Sequence, residues 1–261
     1  MNVLDMFKLD GKTALVTGGA GRFGRQMVLA LAQAGATVWT ASRHLESNEA
    51  YANELCSEGY TVYADAYDQS SEDSIRALLG RMKEKSGKVD ILVNNSVLRC
   101  VKSFNTAPEA FEESLRVNGT GLFVITRVFG DHMAENGSGS IINIGSYMGY
   151  LGCDDTLYTD LPEMDAFSAP DYFYHKGGMN NLTRFAAAYY GPKNVRCNYL
   201  ALGGLFNNQD PRFLERYNSR TFLKRMANQT DVMGILVYLA SEASAYVTGA
   251  TIPVDGGYSA K

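Results

Sequence analysis

The stretch "DYFYHKGG" places Tyr172 and Lys176 four residues apart. On a helix that spacing brings both side chains to one face. A phenol beside an ammonium is an acid–base pair. The phenol ordinarily ionises near pH 10, and a neighbouring positive charge favours the phenolate and lowers that value. Tyr174 lies two positions on and faces another way; it reads as packing or as pocket lining. Tyr158 makes no such pair, because Pro162 and not a lysine stands four residues after it. The competing reading of the whole stretch is an amphipathic helix with its aromatics against a core.

A second constellation lies near the start of the chain. In "TGGAGRFGRQ" (17–26), Gly18, Gly21 and Gly24 fit a G-x-x-G-x-x-G pattern between an apolar strand-like run and a helical one. Small residues there let the backbone turn tightly and approach a pyrophosphate, and the helix that follows offers free N–H groups at its positive end. Without a ligand the same pattern is a tight turn. An acidic residue roughly 20 positions on would hold the 2′-hydroxyl of NAD. Ser42 occupies that place and Arg43 follows. A short hydroxyl and a guanidinium suit a 2′-phosphate, with Arg22 able to add to them. This favours NADP(H) over NAD(H); otherwise Arg43 is a solvated loop charge.

The elements that position these groups alternate along the chain. Strand-like runs fall at 13–17, 37–41, 61–64, 89–93, 140–144, 195–200 and 251–255, with helical patterns between them, such as 25–35 and 74–87. Gly35 and Gly87 end those helices well. Apolar strands alternating with helices predict one parallel sheet covered on both faces, a doubly wound Rossmann-type α/β fold in a single domain over 1–261. Residues 150–171, rich in Asp, Pro and Tyr, break the rhythm and read as a long loop. A net charge of −4 argues against nucleic acid as a partner. No apolar run approaches bilayer-spanning length, and the N-terminus lacks a signal-peptide pattern. The four scattered cysteines read as free thiols in a reducing cytoplasm, and the three distant histidines have no zinc-type spacing, so no metal is expected.

Taken together, "TGGAGRFG", "NNSV" (94–97), "VNGTG" (117–121), "NIGSYMG" (143–149), Tyr172-x-x-x-Lys176, "GPKNVRCNYLALGG" (191–204) and "VTGATIPVDGG" (247–257) resemble the short-chain dehydrogenase/reductase family across nearly the whole chain. The resemblance implies roles. Tyr172 would be the general acid/base, Lys176 would hold the nicotinamide ribose, Ser146 would hydrogen-bond the substrate oxygen, and Asn118 would anchor a water relay. Asp65 would contact the adenine, Asn94 would line the cofactor cleft, and Phe23 and Gly203 would lie against the cofactor. Three positions depart from the family pattern: Arg22 replaces a glycine, Val97 stands where "NNAG" has its Gly, and Leu202 replaces a proline. None of them removes a catalytic group.

Two segments bear on the substrate. Residues 205–226 fall where the family's substrate-covering segment lies, and Arg212, Arg216, Arg220 and Lys224 recur every four residues. Such a stripe clamps an anionic substrate, or else makes a solvated face or salt bridges. The 150–171 insertion carries Asp154, Asp155, Asp160, Glu163, Asp165 and Asp171. It reads as a loop at the active-site mouth that hydrogen-bonds a polyhydroxylated substrate, pairs with the basic stripe, or faces solvent. Tyr147 and Tyr174 are further candidate substrate contacts. The insertion and "GGLFNNQDPRFLERY" also resemble a subgroup linked to flagellin modification and acylneuraminate-type sugars, which implies a sugar or sugar-acid alcohol/ketone couple. The alternatives are a 3-oxoacyl-thioester reductase and, of another class, a non-catalytic nucleotide-binding regulator. The resemblance further implies a homodimer or homotetramer paired through helices near 107–135 and 172–190.

Overall fold

The computed structural model describes residues 2–164, 167 and 169–260. Seven strands form one parallel sheet: β1 (Thr13–Thr17), β2 (Thr37–Ser42), β3 (Val62–Ala66), β4 (Ile91–Asn94), β5 (Gly139–Ser146), β6 (Val195–Leu202) and β7 (Thr251–Val254). They lie in the order β3-β2-β1-β4-β5-β6-β7. Each strand falls where the sequence predicts it. The chain steps outward from β1 to β3, then returns to place β4 beside β1. That reversal opens a crevice at the carboxyl ends of the strands.

The helices are α1 (Arg22–Gln33), α2 (Leu45–Ser57), α3 (Glu72–Ser86), α4 (Pro108–Ser114), α5 (Leu122–Glu135), α6 (Pro170–Tyr190), α7 (Pro211–Arg220) and α8 (Met233–Ala240). Strand side chains alternate between the two faces of the sheet. In β1, Ala14 and Val16 join one core with Met27, Leu31 and Leu236, whereas Leu15 joins the opposite core with Ile75, Ile125 and Phe129. Both cores are fully closed to water at these residues, so the strand ends are held rigidly. Gly87, at φ 77°, ends α3 in the left-handed region that its sequence position predicts.

α4 and α5 are joined by a π-helical turn, Leu115–Gly121, which carries Asn118. Gly121 packs so closely there that a Cβ would lie 2.2 Å from the Gln69 carbonyl oxygen. Single π turns inside helices recur at functional sites because they displace a side chain from regular register.

The 150–171 and 205–226 segments come together beside the crevice. Leu157 and Leu161 from the first pack with Phe213, Tyr217 and Met226 from the second. The basic stripe turns toward the insertion rather than the crevice. Arg212 binds Asp210 at 2.9 Å and the Asp160 carbonyl at 2.7 Å. Arg216 donates to the carbonyl oxygens of Leu157 and Thr159, and Arg220 to Asp154 at 2.6 Å. α7 ends at Arg220, so Lys224 leaves the stripe and donates to the Ser219 carbonyl instead. Of the acidic residues in the insertion, Asp165 lies outside the described residues.

Candidate active site

A cleft of about 790 Å³ occupies the crevice. At its β1–β2 end the backbone builds a cradle. Gly18 adopts φ 66°, its N–H donates to the Ala41 carbonyl at 2.8 Å, and its own carbonyl accepts from Gly21 N at 3.0 Å. A Cβ on Gly24 would sit 2.3 Å from the Gly18 oxygen, so only glycine fits. Gly21 caps α1 without any side chain, which leaves the first N–H groups of the helix facing the cleft. This is the geometry that a pyrophosphate requires. Gly18, Gly21, Arg22, Phe23 and Gly24 all line the cleft, as does Gly203 on its far wall.

Ser42 and Arg43 also line this end. The Ser42 hydroxyl accepts from Asn48 at 2.7 Å. Arg43 is exposed and makes no ion pair among the described residues. Arg22 lies 2.9 and 3.1 Å from the side-chain amide of Asn207, linking the phosphate cradle to the covering segment.

Two expected cofactor contacts take other places. Asp65 does not line the cleft; its carboxylate is held by Arg81 at 2.7 and 3.1 Å. β3 runs on to Ala66, and only then does the chain turn back over the crevice, which makes Asp68 the acidic residue that lines this end of it. Hydrogen bonds from the Ser70 backbone and hydroxyl hold the Asp68 carboxyl below its usual range, with Arg43 adding to the effect. Asn94 is buried as a strut beneath the cleft, donating to Asn143 at 2.8 Å and Thr126 at 3.3 Å. Asn95 faces the cleft in its stead and binds the Gly18 carbonyl at 3.1 Å.

The other end of the cleft gathers Ser146, Tyr172 and Lys176. Ser146 ends β5, and Tyr172 and Lys176 stand on the first turns of α6. The Lys176 ammonium lies 5.5 Å from the Tyr172 ring centre and donates to the Ile144 carbonyl at 2.6 Å. Lys176 is 4% exposed. Burial, assisted by the Arg99 charge, brings its pKa down to about 7. The Tyr172 hydroxyl has no hydrogen-bond partner among the described residues, so it is free to meet a substrate oxygen. Asn118 is saturated: its amide nitrogen donates to the Leu98 carbonyl at 2.8 Å and to Ser114 at 3.0 Å, and its oxygen accepts from Leu98 N at 2.8 Å. It borders a cavity of about 10 Å³, shared with Lys176 and Ser96, large enough for a single water.

Two residues here were not singled out in the sequence. The fully buried Tyr199 accepts from Ser146 N at 2.9 Å and lies 2.9 and 3.2 Å from the Ser146 and Lys176 carbonyl oxygens. It joins β5 to α6 and so fixes the distance between the serine and the lysine. Its ring fits because Gly145 has no Cβ, which would fall 1.8 Å from it. Arg99 places its guanidinium carbon 4.5 Å over the Tyr172 ring and pairs with no carboxylate among the described residues. Its sequence signal is the absence of any acid between Arg99 and Glu109, directly after the carboxyl end of β4.

The expected substrate contacts divide. Tyr147 lines the cleft, stacked on Tyr258 at 4.6 Å. Tyr174 is 62% exposed and packs edge-on against Phe111 outside the cleft. Arg212 and Arg216 do not line the cleft either, because the insertion's carbonyl oxygens hold their guanidinium groups.

Comparison with known proteins agrees with this geometry. Residues 19–259 match a family model described as enoyl-(acyl carrier protein) reductase. The chain is 30% identical to a 7alpha-hydroxysteroid dehydrogenase of Paraclostridium sordellii, over 97% of this chain and 94% of that one. It is also 30% identical to a 2-dehydro-3-deoxy-D-gluconate 5-dehydrogenase of Escherichia coli, over 99% and 100%. A crystal structure of a gluconate 5-dehydrogenase from Burkholderia cenocepacia, in complex with NADP and tartrate, superposes with a TM-score of 0.90 at 28% identity over all of both chains. The described residues include no helix long and apolar enough to cross a membrane. A dinucleotide-shaped cleft that ends in a serine, a tyrosine and a lysine, in a sheet of this order, has one reading: the chain belongs to the short-chain dehydrogenase/reductase family of NAD(P)-dependent oxidoreductases.

Proposed function

We propose that this enzyme interconverts a secondary alcohol and a ketone on a sugar acid or related hydroxy acid, with NADP(H) preferred. The observation that carries the substrate class is Arg99, a cation beside Tyr172 without a protein carboxylate to neutralise it. An anion on the substrate completes that site, and a guanidinium binds a carboxylate through two parallel hydrogen bonds. Tyr147, Tyr158 and Asp154 add polar groups to the mouth that suit a polyhydroxylated chain.

When bound, the nicotinamide accepts or supplies the hydride. The chain's own groups do the rest. Ser146 donates to the substrate oxygen, where charge builds up in the transition state. Tyr172 takes the alcohol proton in oxidation and returns it in reduction. Lys176 supports the phenolate with its charge, and Tyr199 holds Ser146 and Lys176 in register. The unpaired Arg43, with Ser42, reads the 2′-phosphate, and Asp68 takes the adenine side.

The 150–171 insertion and the 205–226 segment form the wall over the substrate end of a single catalytic domain. Exposed Phe185 and Tyr189, stacked on the outer face of α6, together with Phe123 on α5, provide the apolar surface for a homodimer or homotetramer. The free thiols of Cys56, Cys100 and Cys197 suit a cytoplasmic setting.

The test is turnover of a panel of aldonates and uronates against neutral polyols, with NADP⁺ and NAD⁺, in the wild type, Tyr172→Phe and Arg99→Met. Tyr172→Phe loses turnover by at least ~10²-fold while still binding NADPH. Arg99→Met raises KM for the acids at least ~10-fold more than for neutral polyols, as expected for loss of a charge-assisted hydrogen bond. Neutral polyols outperforming acids in the wild type would refute the substrate class.

A further inference from the structure

Behind the acid–base pair lies a second cluster of polar side chains that the family pattern does not account for. Ser114, Asp171 and His175 are 0%, 2% and 6% exposed. The Ser114 hydroxyl lies 2.5 Å from the Asp171 carboxylate and 3.0 Å from Nε2 of His175, and it accepts from Asn118 at 3.0 Å. Asp171 and His175 directly precede Tyr172 and Lys176 in sequence. Ser114 ends α4, one turn before Asn118. The set resembles a hydrolytic triad in composition, but a serine with no exposure cannot attack a substrate.

Counting protons fixes its orientation. The serine's one proton goes to the carboxylate, the only acceptor among its partners that has no proton to give. Ser114 Oγ therefore accepts from both Asn118 and His175, which places the imidazole proton on Nε2 and leaves Nδ1 with a lone pair. His175 also borders the water-sized cavity between Asn118 and Lys176. Burial, and secondarily the Lys176 charge, depress the His175 pKa, while Asp171 opposes them. Several groups face the imidazole. On α6 these are Asp171 and Lys176. On the α4–α5 helix they are Ser114 and Asn118, and across the cavity they are the uncharged Gln69, Asn94 and Ser96.

We propose that Asp171, Ser114 and His175 form a proton-holding arm of the acid–base centre, in which Nδ1 of His175 receives the proton that Tyr172 has taken from the alcohol. The proposal rests on the alcohol/ketone reading above. In oxidation the alcohol O–H bond breaks and its proton goes to Tyr172, while the carbon-bound hydrogen leaves with its electron pair to the nicotinamide. The proton then passes by Lys176 and the cavity water to Nδ1, where an N–H bond forms. Asp171 stabilises the imidazolium through Ser114, and the proton later leaves to solvent. Reduction runs the same path backwards. His175 acts through Lys176, so it is a positioning and relay residue and does not touch the substrate.

The experiment compares wild type, His175→Gln, Ser114→Ala and Asp171→Asn as NADP-bound holoenzymes. Imidazole nitrogen NMR resolves His175 among only three histidines. D-gluconate is the first turnover probe. The arm predicts an Nε2–H tautomer and a His175 titration that moves to lower pH in Asp171→Asn. For His175→Gln and Ser114→Ala it predicts kcat for oxidation down about 10-fold below pH 7 and recovering at high pH, where hydroxide takes the proton, with KM and NADPH affinity unchanged. An Nδ1–H tautomer overturns the proposal, and so does a loss of kcat equal at every pH, since a merely structural strut would behave that way. If no sugar acid is turned over, the substrate reading fails, and the NMR titration alone decides: an Nε2–H tautomer sensitive to Asp171 supports the arm, and an insensitive imidazole refutes it.

Discussion

Replacing Lys176 by Met should destroy turnover and, at low pH, make the cofactor-free protein more stable. Lys176 is enclosed, and its pKa falls from 10.5 to about 7. At about 1.4 kcal/mol per tenfold change in proton affinity, forcing the charge into the fold costs on the order of 5 kcal/mol. The unfolded chain keeps the lysine protonated up to its ordinary value. Between pH 7 and 10.5 the unfolded state therefore binds more protons than the folded one, and stability rises with pH across that window. The penalty is fully present below pH 7 and falls to about 1 kcal/mol at pH 9.5. Methionine carries no charge but leaves the Ile144 carbonyl without its donor, a loss of ~1–3 kcal/mol. The net expectation is a variant about 2–4 kcal/mol more stable than wild type at pH 6 and equal or slightly less stable at pH 9.5. Urea unfolding of both proteins at the two pH values, without cofactor, measures this difference directly. A gap between the two proteins that does not change with pH would refute the reasoning, since it would mean that the lysine is not held against its charge.

Tyr199→Phe keeps the ring in its glycine-lined slot but removes the hydroxyl between Ser146 and Lys176; kcat should fall about 10-fold with NADPH affinity retained, and stability by ~1–3 kcal/mol, read by steady-state kinetics and thermal melts. Arg43→Ala should reduce NADPH affinity at least ~10-fold while leaving NADH affinity unchanged, read by fluorescence titration. His132 accepts from Val89 N at 3.1 Å, and burial, then Lys83, lower its pKa, so stability should fall as pH drops below its unfolded value of 6.5. His132→Gln should flatten that part of the stability–pH curve in urea titrations.

The sheet was legible because its strands are apolar on both faces and separated by well-marked helices, a pattern that leaves few topologies. Tyr172, Lys176 and the glycine cradle were legible because their chemistry depends on spacing within one element. What depended on the path of the chain between elements was not. Asp65 sits at the right distance in sequence, but β3 runs on to Ala66 and carries the chain past it, so Asp68 reaches the cleft. The four-residue recurrence of Arg212 and Arg216 was real as helical periodicity. Which way that face turns was decided by carbonyl oxygens on a segment some 50 residues earlier. Tyr199 and Ser114 carry no local pattern, because each acquires its role from a partner on another element, and Arg99 carries only the lack of an acid in the residues that follow it.

The contacts between α7 and the insertion also determine how this enzyme can be altered. Arg216 and Arg220 have acceptors in residues 154–160, Arg212 is shared between Asp210 and the Asp160 carbonyl, and the two segments share one apolar seam. Grafting the insertion alone onto another scaffold would strand its carboxylate and carbonyls, and grafting α7 with its Asp210 cap alone would strand the Arg216 and Arg220 guanidinium groups. The pair is a cassette: a change of substrate range by recombination, in a laboratory or in a genome, must exchange both halves in one step.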